Sequence, residues 1–255
     1  MLLLLAILNL KSWAQEPHSK EVVELSAYAT RTPKEFVDIE EVIPTIHLQI
    51  AYHGNENFTG APLPGYGVPK AWLLPEAAAA LAKVQEELSW EDLSLLVYDA
   101  YRPRRASEAM VAWAKRSDQM ALLEKGYIAA RSGHNHGHTI DLTIIDLKTG
   151  KPLEMGSEWD TFDETAHIDN ATGKVLENRK KLQSLMSKYG FRGYSKEWWH
   201  FRYPMVGTIA RDVPYGCFEE KEWKFQAPLG WSTPGYEPPL RSTEDQVSLQ
   251  CLPTF

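Results

Sequence analysis

From Ser132 to Asp141 the chain reads Ser-Gly-His-Asn-His-Gly-His-Thr-Ile-Asp, and it runs directly into Leu-Thr-Ile-Ile-Asp. Over residues 138–146 the side chains alternate. Thr139, Asp141, Thr143 and Ile145 fall on one face; His138, Ile140, Leu142 and Ile144 fall on the other. A period of two predicts a strand with one polar face near its start. Such a strand needs neighbours in a sheet, and its polar face marks where a site can lie.

The flanking chain supplies those neighbours. Residues 46–52 alternate apolar with polar and predict a half-buried strand. Asn57-Phe58-Thr59-Gly60 and the Pro/Gly-rich stretch through Pro69 predict a loop. Pro75-Glu76 opens a helix to about Ser89: proline suits the first helical position, and an early acid favours the dipole. Residues 93–101 predict a strand ending at Arg102-Pro103, and residues 107–125 a helix stopped by Gly126. Residues 175–189 predict a third helix, with Leu182, Leu185, Met186 and Tyr189 as its core stripe. Residues 197–203 predict an aromatic-rich strand. Strands interrupted by helices and joined by varied loops imply an α+β fold, a small antiparallel or mixed sheet flanked by helices.

The 255 residues suffice for one substantial domain. The formal charge of -7 and the lack of any Lys/Arg run exclude nucleic acid as an expected partner. Residues 1–10 form an apolar run too short to span a bilayer, followed by Ser12 and Ala14 ahead of Gln15. That pattern predicts a signal peptide over residues 1–14 and export to the periplasm or beyond. No basic residue precedes the run, so a buried helix in a cytoplasmic protein stays open as the other reading. No second long apolar run follows, so no stable membrane insertion is expected once the signal is removed. Residues 15–45 read as a loose arm, 46–203 as the functional domain, and 204–255 as an extension packed on it. Cys217 and Cys251 are not in a Cys-x-x-Cys pair, which makes them poor metal ligands. One disulfide and two free thiols both remain open for them.

A second polar segment, Glu197-Trp198-Trp199-His200, lies far downstream of the first. Together the two offer imidazoles, a carboxylate and a spare glutamate. A catalytic zinc site takes three such ligands, leaves a fourth position for water, and uses a nearby carboxylate to accept the water's proton. Gly137 allows a turn that folds His134 back beside Asp141. Glu197 and His200 are three apart, so on a regular strand they point to opposite faces. Both reach one site only if the strand bends, bulges or ends there.

The pattern Ser-x-His-x-x-Gly-x-x-x-Asp followed by Glu-x-x-His resembles the zinc D-Ala-D-Ala dipeptidases of the VanX type, relatives of the DD-carboxypeptidases and the hedgehog-type zinc fold. The likeness extends to Asp99-Ala100-Tyr101-Arg102-Pro103, to Tyr52 with Asn57-Phe58-Thr59-Gly60, to Met155-Gly156-Ser157 with Trp159-Asp160, and to Tyr194 through His200. It covers residues 46–203. The resemblance implies one zinc ion on His134, Asp141 and His200. It implies Glu197 as general base and Arg102 stabilising the oxyanion of a tetrahedral intermediate. Tyr52 and Asp160 would hold the free ammonium of the dipeptide, and Ser132 would hydrogen-bond substrate. Two departures stand out: Thr139, where the family usually has alanine, and the extra imidazoles His136 and His138.

Taken singly, these residues have plainer readings. His134 alone would be a structural histidine, Arg102 a strand-end arginine, Asp160 a loop carboxylate, and Trp198-Trp199 core or pocket wall. Asp99 reads equally as a support for the site or as a turn residue. As a set they predict a metallo-dipeptidase that cleaves D-Ala-D-Ala to two D-alanines. The alternatives are a DD-carboxypeptidase trimming longer peptidoglycan peptides and a non-catalytic zinc-containing binding module.

Overall fold

The computed structural model describes residues 32–216. The expected signal peptide, residues 15–31 of the arm, both cysteines and residues 217–255 of the extension lie outside the described residues.

In chain order the regular elements are β1 (Val37–Asp38), α1 (Ile39–Val42), β2 (His47–Leu48), β3 (Trp72–Leu73), α2 (Pro75–Ser89), β4 (Leu93–Asp99), α3 (Arg104–Arg116), α4 (Ala121–Glu124), β5 (Thr139–Asp146), β6 (Lys151–Pro152), α5 (Gly173–Lys188), β7 (Arg192–Tyr194) and β8 (Glu197–Arg202). A six-stranded sheet has the order β2-β4-β5-β8-β7, with β6 pairing β5. Strand β2 runs parallel to β4 and the other pairings are antiparallel, so the sheet is mixed. This is the α+β arrangement expected.

β4 and β5 form the sheet centre. β4 is buried along its whole length and β5 as far as Ile145. A strand covered on both faces can be apolar throughout, which fits Leu93-Ser94-Leu95-Leu96-Val97. α2 has the predicted bounds, because Pro75 sits in its first turn and Ala77, Leu81, Val84 and Leu88 face the core. α5 buries Leu182, Leu185 and Met186.

Three expectations needed correction. The helix placed over residues 107–125 is two helices, α3 and α4. α3 starts earlier because Asp212 Oδ1 accepts from the Arg105 amide at 2.9 Å, a cap supplied from 107 residues away. It stops at Arg116 because Asp118 adopts a left-handed φ of 56°. The strand placed over residues 46–52 forms only at His47–Leu48, since the chain then turns into a 3-10 helix at Ala51–His53. Residues 32–45, read as loose arm, are packed: β1 pairs β3, Asp38 caps α1 by accepting from the Glu40 amide at 3.1 Å, and Phe36, Ile39 and Ile43 are buried. Elements of two to four residues carry no periodicity to read.

Beyond β8 the chain returns to the body. Tyr215 is buried, donates to the Tyr101 carbonyl at 2.6 Å, and stacks on Tyr66 at 5.5 Å. Among the described residues no helix is long and apolar enough to cross a membrane.

Candidate active site

The site grows from one row across three neighbouring strands. β4 has a register shift between Val97 and Asp99, and this bulge sets Asp99 opposite Asp141 on β5. Asp141 is in turn opposite His200 on β8. His134 comes from a 3-10 turn at Gly133–His136 just before β5. The turn ends at Gly137, whose φ of 75° lets the chain reverse into the strand.

Three acceptor atoms converge here. His200 Nδ1 is 2.9 Å from Asp141 Oδ1; His134 Nε2 is 3.3 Å from Asp141 Oδ1 and 3.3 Å from His200 Nδ1. The other nitrogen of His134, Nδ1, is 2.7 Å from the Ala100 carbonyl, which leaves Nε2 as a lone pair facing the cluster. Tetrahedral zinc with bonds of about 2.0–2.1 Å separates its ligands by about 3.3–3.4 Å. The spacing therefore fits a metal ion on His134, Asp141 and His200, the set of donors among the described residues that can hold one. Burial works to raise the Asp141 carboxyl, but the imidazoles of His134 and His200 outweigh it and hold it well below the usual carboxylate range.

Glu197 meets the demand placed on β8. Phe201 pairs Gly193 and Glu197 pairs Tyr194, so four steps along β8 (201 − 197) match one step along β7 (194 − 193). This bulge frees Glu197 from strict alternation and brings its Oε2 within 3.6 Å of His200 Nδ1. Burial pushes the Glu197 carboxyl up to about 7. Trp198 and Trp199 are buried, and Trp199 forms part of the cavity wall.

Arg102 is buried and held from behind. Asp99 Oδ2 accepts from its Nε at 2.9 Å and lies 2.8 Å from its Nη2, while Nη2 is 3.7 Å from Asp141 Oδ2. Burial opposes the guanidinium charge, and Asp99 together with Tyr52, Tyr66 and Asp141 more than offsets it. Asp99 also lies 3.2 Å from His134 Nδ1 and accepts from the Tyr66 hydroxyl at 2.5 Å. One carboxylate thus orients the arginine and one ligand histidine, which decides between the two readings of Asp99.

In the lining of the same cavity the Tyr52 hydroxyl donates to Asp160 Oδ2 at 2.7 Å. Burial raises the Asp160 carboxyl well above its ordinary value, and the Tyr52 bond works against that rise. Phe58 and Phe162 also line the cavity, edge to face at 4.9 Å. The cavity measures about 280 Å³, just under the roughly 300–1,000 Å³ of pockets that take drug-sized ligands.

All eight expected site residues line this one cavity. Ser132 does so while its Oγ accepts from the His134 amide at 3.3 Å, capping the ligand turn. His136 and His138 stand apart from the cluster: His136 Nδ1 is 3.1 Å from Thr208 Oγ1, and His138 is buried with its ring 5.6 Å from that of His136. Sequence reasoning missed Tyr66 and Asn135. Asn135 donates to the Arg102 carbonyl at 2.9 Å and accepts from the Ser132 amide at 3.2 Å, joining the arginine to the ligand turn. Nothing in the local sequence signals either contact.

Cation-ready donors beside a carboxyl that titrates near neutrality are how metallohydrolase sites are built, and this chain has a site of that class. Comparison with known proteins gives the family. The D-ala-D-ala dipeptidase family model (peptidase M15) matches residues 32–220, and the chain belongs to that family. The D-alanyl-D-alanine dipeptidase of Enterococcus faecium is 33% identical over 195 residues, covering 71% of this chain and 93% of the relative. Those of Streptomyces coelicolor and Enterococcus faecalis are each 33% identical, covering 66% of this chain and 90% of the relative.

Proposed function

We propose that this chain hydrolyses the D-Ala-D-Ala dipeptide to two D-alanines, with one zinc ion held by His134, Asp141 and His200. The observation that carries the reading is a small cavity lined both by a metal-ligand cluster and by the hydrogen-bonded Tyr52–Asp160 pair. A free dipeptide has one ammonium close to its scissile bond, and a buried carboxylate is its natural partner. The family and three dipeptidases at 33% identity support the same substrate.

When bound, zinc supplies Lewis acidity that brings the pKa of water towards neutrality. The chain's own residues do the rest. Asp160 and Tyr52 bind and orient the ammonium. Ser132 offers a hydroxyl to the substrate. Glu197, ionised, takes a proton from the attacking water and returns it to the leaving amine. Arg102, fixed by Asp99, faces the negative charge that develops on the carbonyl oxygen. The aromatic walls exclude bulk water. The apolar run at residues 1–10, outside the described residues, supports export, where peptidoglycan fragments are met; a mature chain that still begins at Met1 would refute it.

The test is D-alanine release from D-Ala-D-Ala and from a D-Ala-D-Ala-terminated pentapeptide, by zinc-loaded and chelator-treated protein. Zinc-dependent cleavage of the dipeptide alone is expected. Preference for the pentapeptide would make the chain a carboxypeptidase, and cleavage of neither would leave a binding module.

A further inference from the structure

We propose that Arg179 on α5, outside the cavity, is a positioning residue that restricts the enzyme to short substrates by tying down both feet of the loop that closes the amino end. This rests on the dipeptidase reading above.

Arg179 is buried, and its hydrogen-bond partners among the described residues are all main-chain carbonyls. Nε donates to Met155 O at 2.6 Å, Nη1 to His167 O at 2.6 Å, and Nη2 to Thr165 O at 2.7 Å. Met155 lies on one side of residues 156–164, and Thr165 and His167 lie on the other. One guanidinium therefore spans the loop that carries Asp160 and Phe162. Burying a cation without a carboxylate is a poor way to gain stability, since an apolar side chain of similar volume would pack at less cost. A planar fork of donors is, however, well suited to hold several fixed acceptors at once.

Neighbouring contacts lock the same feet. Asn178 donates to Glu154 O at 2.9 Å. Gly156, at φ 81°, passes so close to α5 that a Cβ there would meet Val175 Cγ1 at 2.6 Å. Trp198 Nε1 donates to Ser157 Oγ at 2.9 Å, tying the loop to the strand of Glu197. Asp160 itself sits at φ 58°, a left-handed conformation that a non-glycine residue keeps only when its surroundings enforce it. With the feet held, Asp160 stays against Tyr52. A peptide extended beyond its amino end would need the space that the loop fills.

The experiment compares wild type, Arg179→Met and Arg179→Lys. Each is assayed on D-Ala-D-Ala and on an acylated peptide ending in D-Ala-D-Ala, and hydrogen exchange is followed over residues 156–164 and over α5. For Arg179→Met, KM for the dipeptide should rise about tenfold with kcat within about threefold, since the pocket is no longer pre-organised. The preference for the longer peptide should rise about tenfold, and only the loop amides should exchange faster. Arg179→Lys, which keeps the charge without the fork, should fall between and carries the test if the methionine variant does not fold. Faster loop exchange with unchanged KM and unchanged preference overturns the proposal, as does unchanged loop exchange. Should wild type not cleave the dipeptide at all, the dipeptidase reading fails and the specificity role falls with it; loop exchange still decides whether Arg179 is the clasp.

Discussion

The Tyr52 hydroxyl and the Asp160 carboxylate meet at 2.7 Å across 108 residues of chain. The Arg102 guanidinium lies 5.2 Å from the centre of the Tyr52 ring, so one tyrosine touches both the expected ammonium site and the expected oxyanion site. Tyr52 is buried and Asp160 half-buried, and a hydrogen bond to a charged group contributes about 1.5–3 kcal/mol. Tyr52→Phe should therefore raise KM for D-Ala-D-Ala by about 10- to 100-fold, with a smaller change in kcat. Steady-state kinetics checks this, and an unchanged KM would remove Tyr52 from the ammonium site.

Burial raises Glu197 from an ordinary value of 4.5 to about 7. As general base it must be ionised, so kcat/KM should fall as pH drops through its pKa; a bound dication pulls that pKa down and puts the acid limb below pH 7. Glu197→Gln should lower turnover by at least about 10²-fold while zinc stays bound. Metal-stripped protein gives an independent readout. A carboxyl with a raised folded pKa supports the fold fully below its ordinary value and loses that contribution as pH rises from about 4.5 to about 7. The glutamine variant lacks this loss, so its melting temperature should gain on wild type between pH 5 and pH 8.

His134, Asp141 and His200 each offer one ligand atom, and these lie within 4.8 Å of one another, a spacing that suits a cation. Zinc at a thousandfold excess over its Kd adds about 4 kcal/mol of stability, or roughly 8–16 °C in Tm for a domain of this size. Calorimetry with and without chelator measures it. Asp141→Asn should abolish the zinc-dependent part, and an equal Tm in both states would argue against the assigned ligands.

Thr139 and Gly133 fit one another. A Cβ on Gly133 would lie 2.6 Å from Thr139 Oγ1, so Gly133→Ala should displace the turn that carries His134 and weaken zinc binding by about tenfold or more. Adding Thr139→Ala removes the obstructing hydroxyl and should restore binding, giving a large coupling in a double-mutant cycle. Additive effects would show that the threonine does not constrain the ligand turn. The Thr139 hydroxyl has no hydrogen-bond partner among the described residues.

Much of this was legible in the chain. Residues 139–146 alternate and form a strand, and Pro75 with its apolar stripe defines α2 at both ends. The two polar segments proved to be the ones the sheet brings together. By contrast, the start of α3 depends on Asp212 and its end on the left-handed Asp118, neither of which alters hydrophobic periodicity. Asp99 was ambiguous because its position opposite Asp141 depends on a bulge in β4, and a one-residue slip turns a side chain to the other face.

The sequence by itself determined the chemistry on offer: which donors, which carboxyls and which cation exist, and which long elements carry them. Residue type and local period are properties of a few neighbouring residues. Only the tertiary structure decided which of them share a cavity, that Tyr66 backs Asp99, and that Arg179 grips both feet of the Asp160 loop. Those contacts depend on register between distant strands and on where a helix crosses a loop. No local pattern encodes them, because they are fixed by packing of the whole domain.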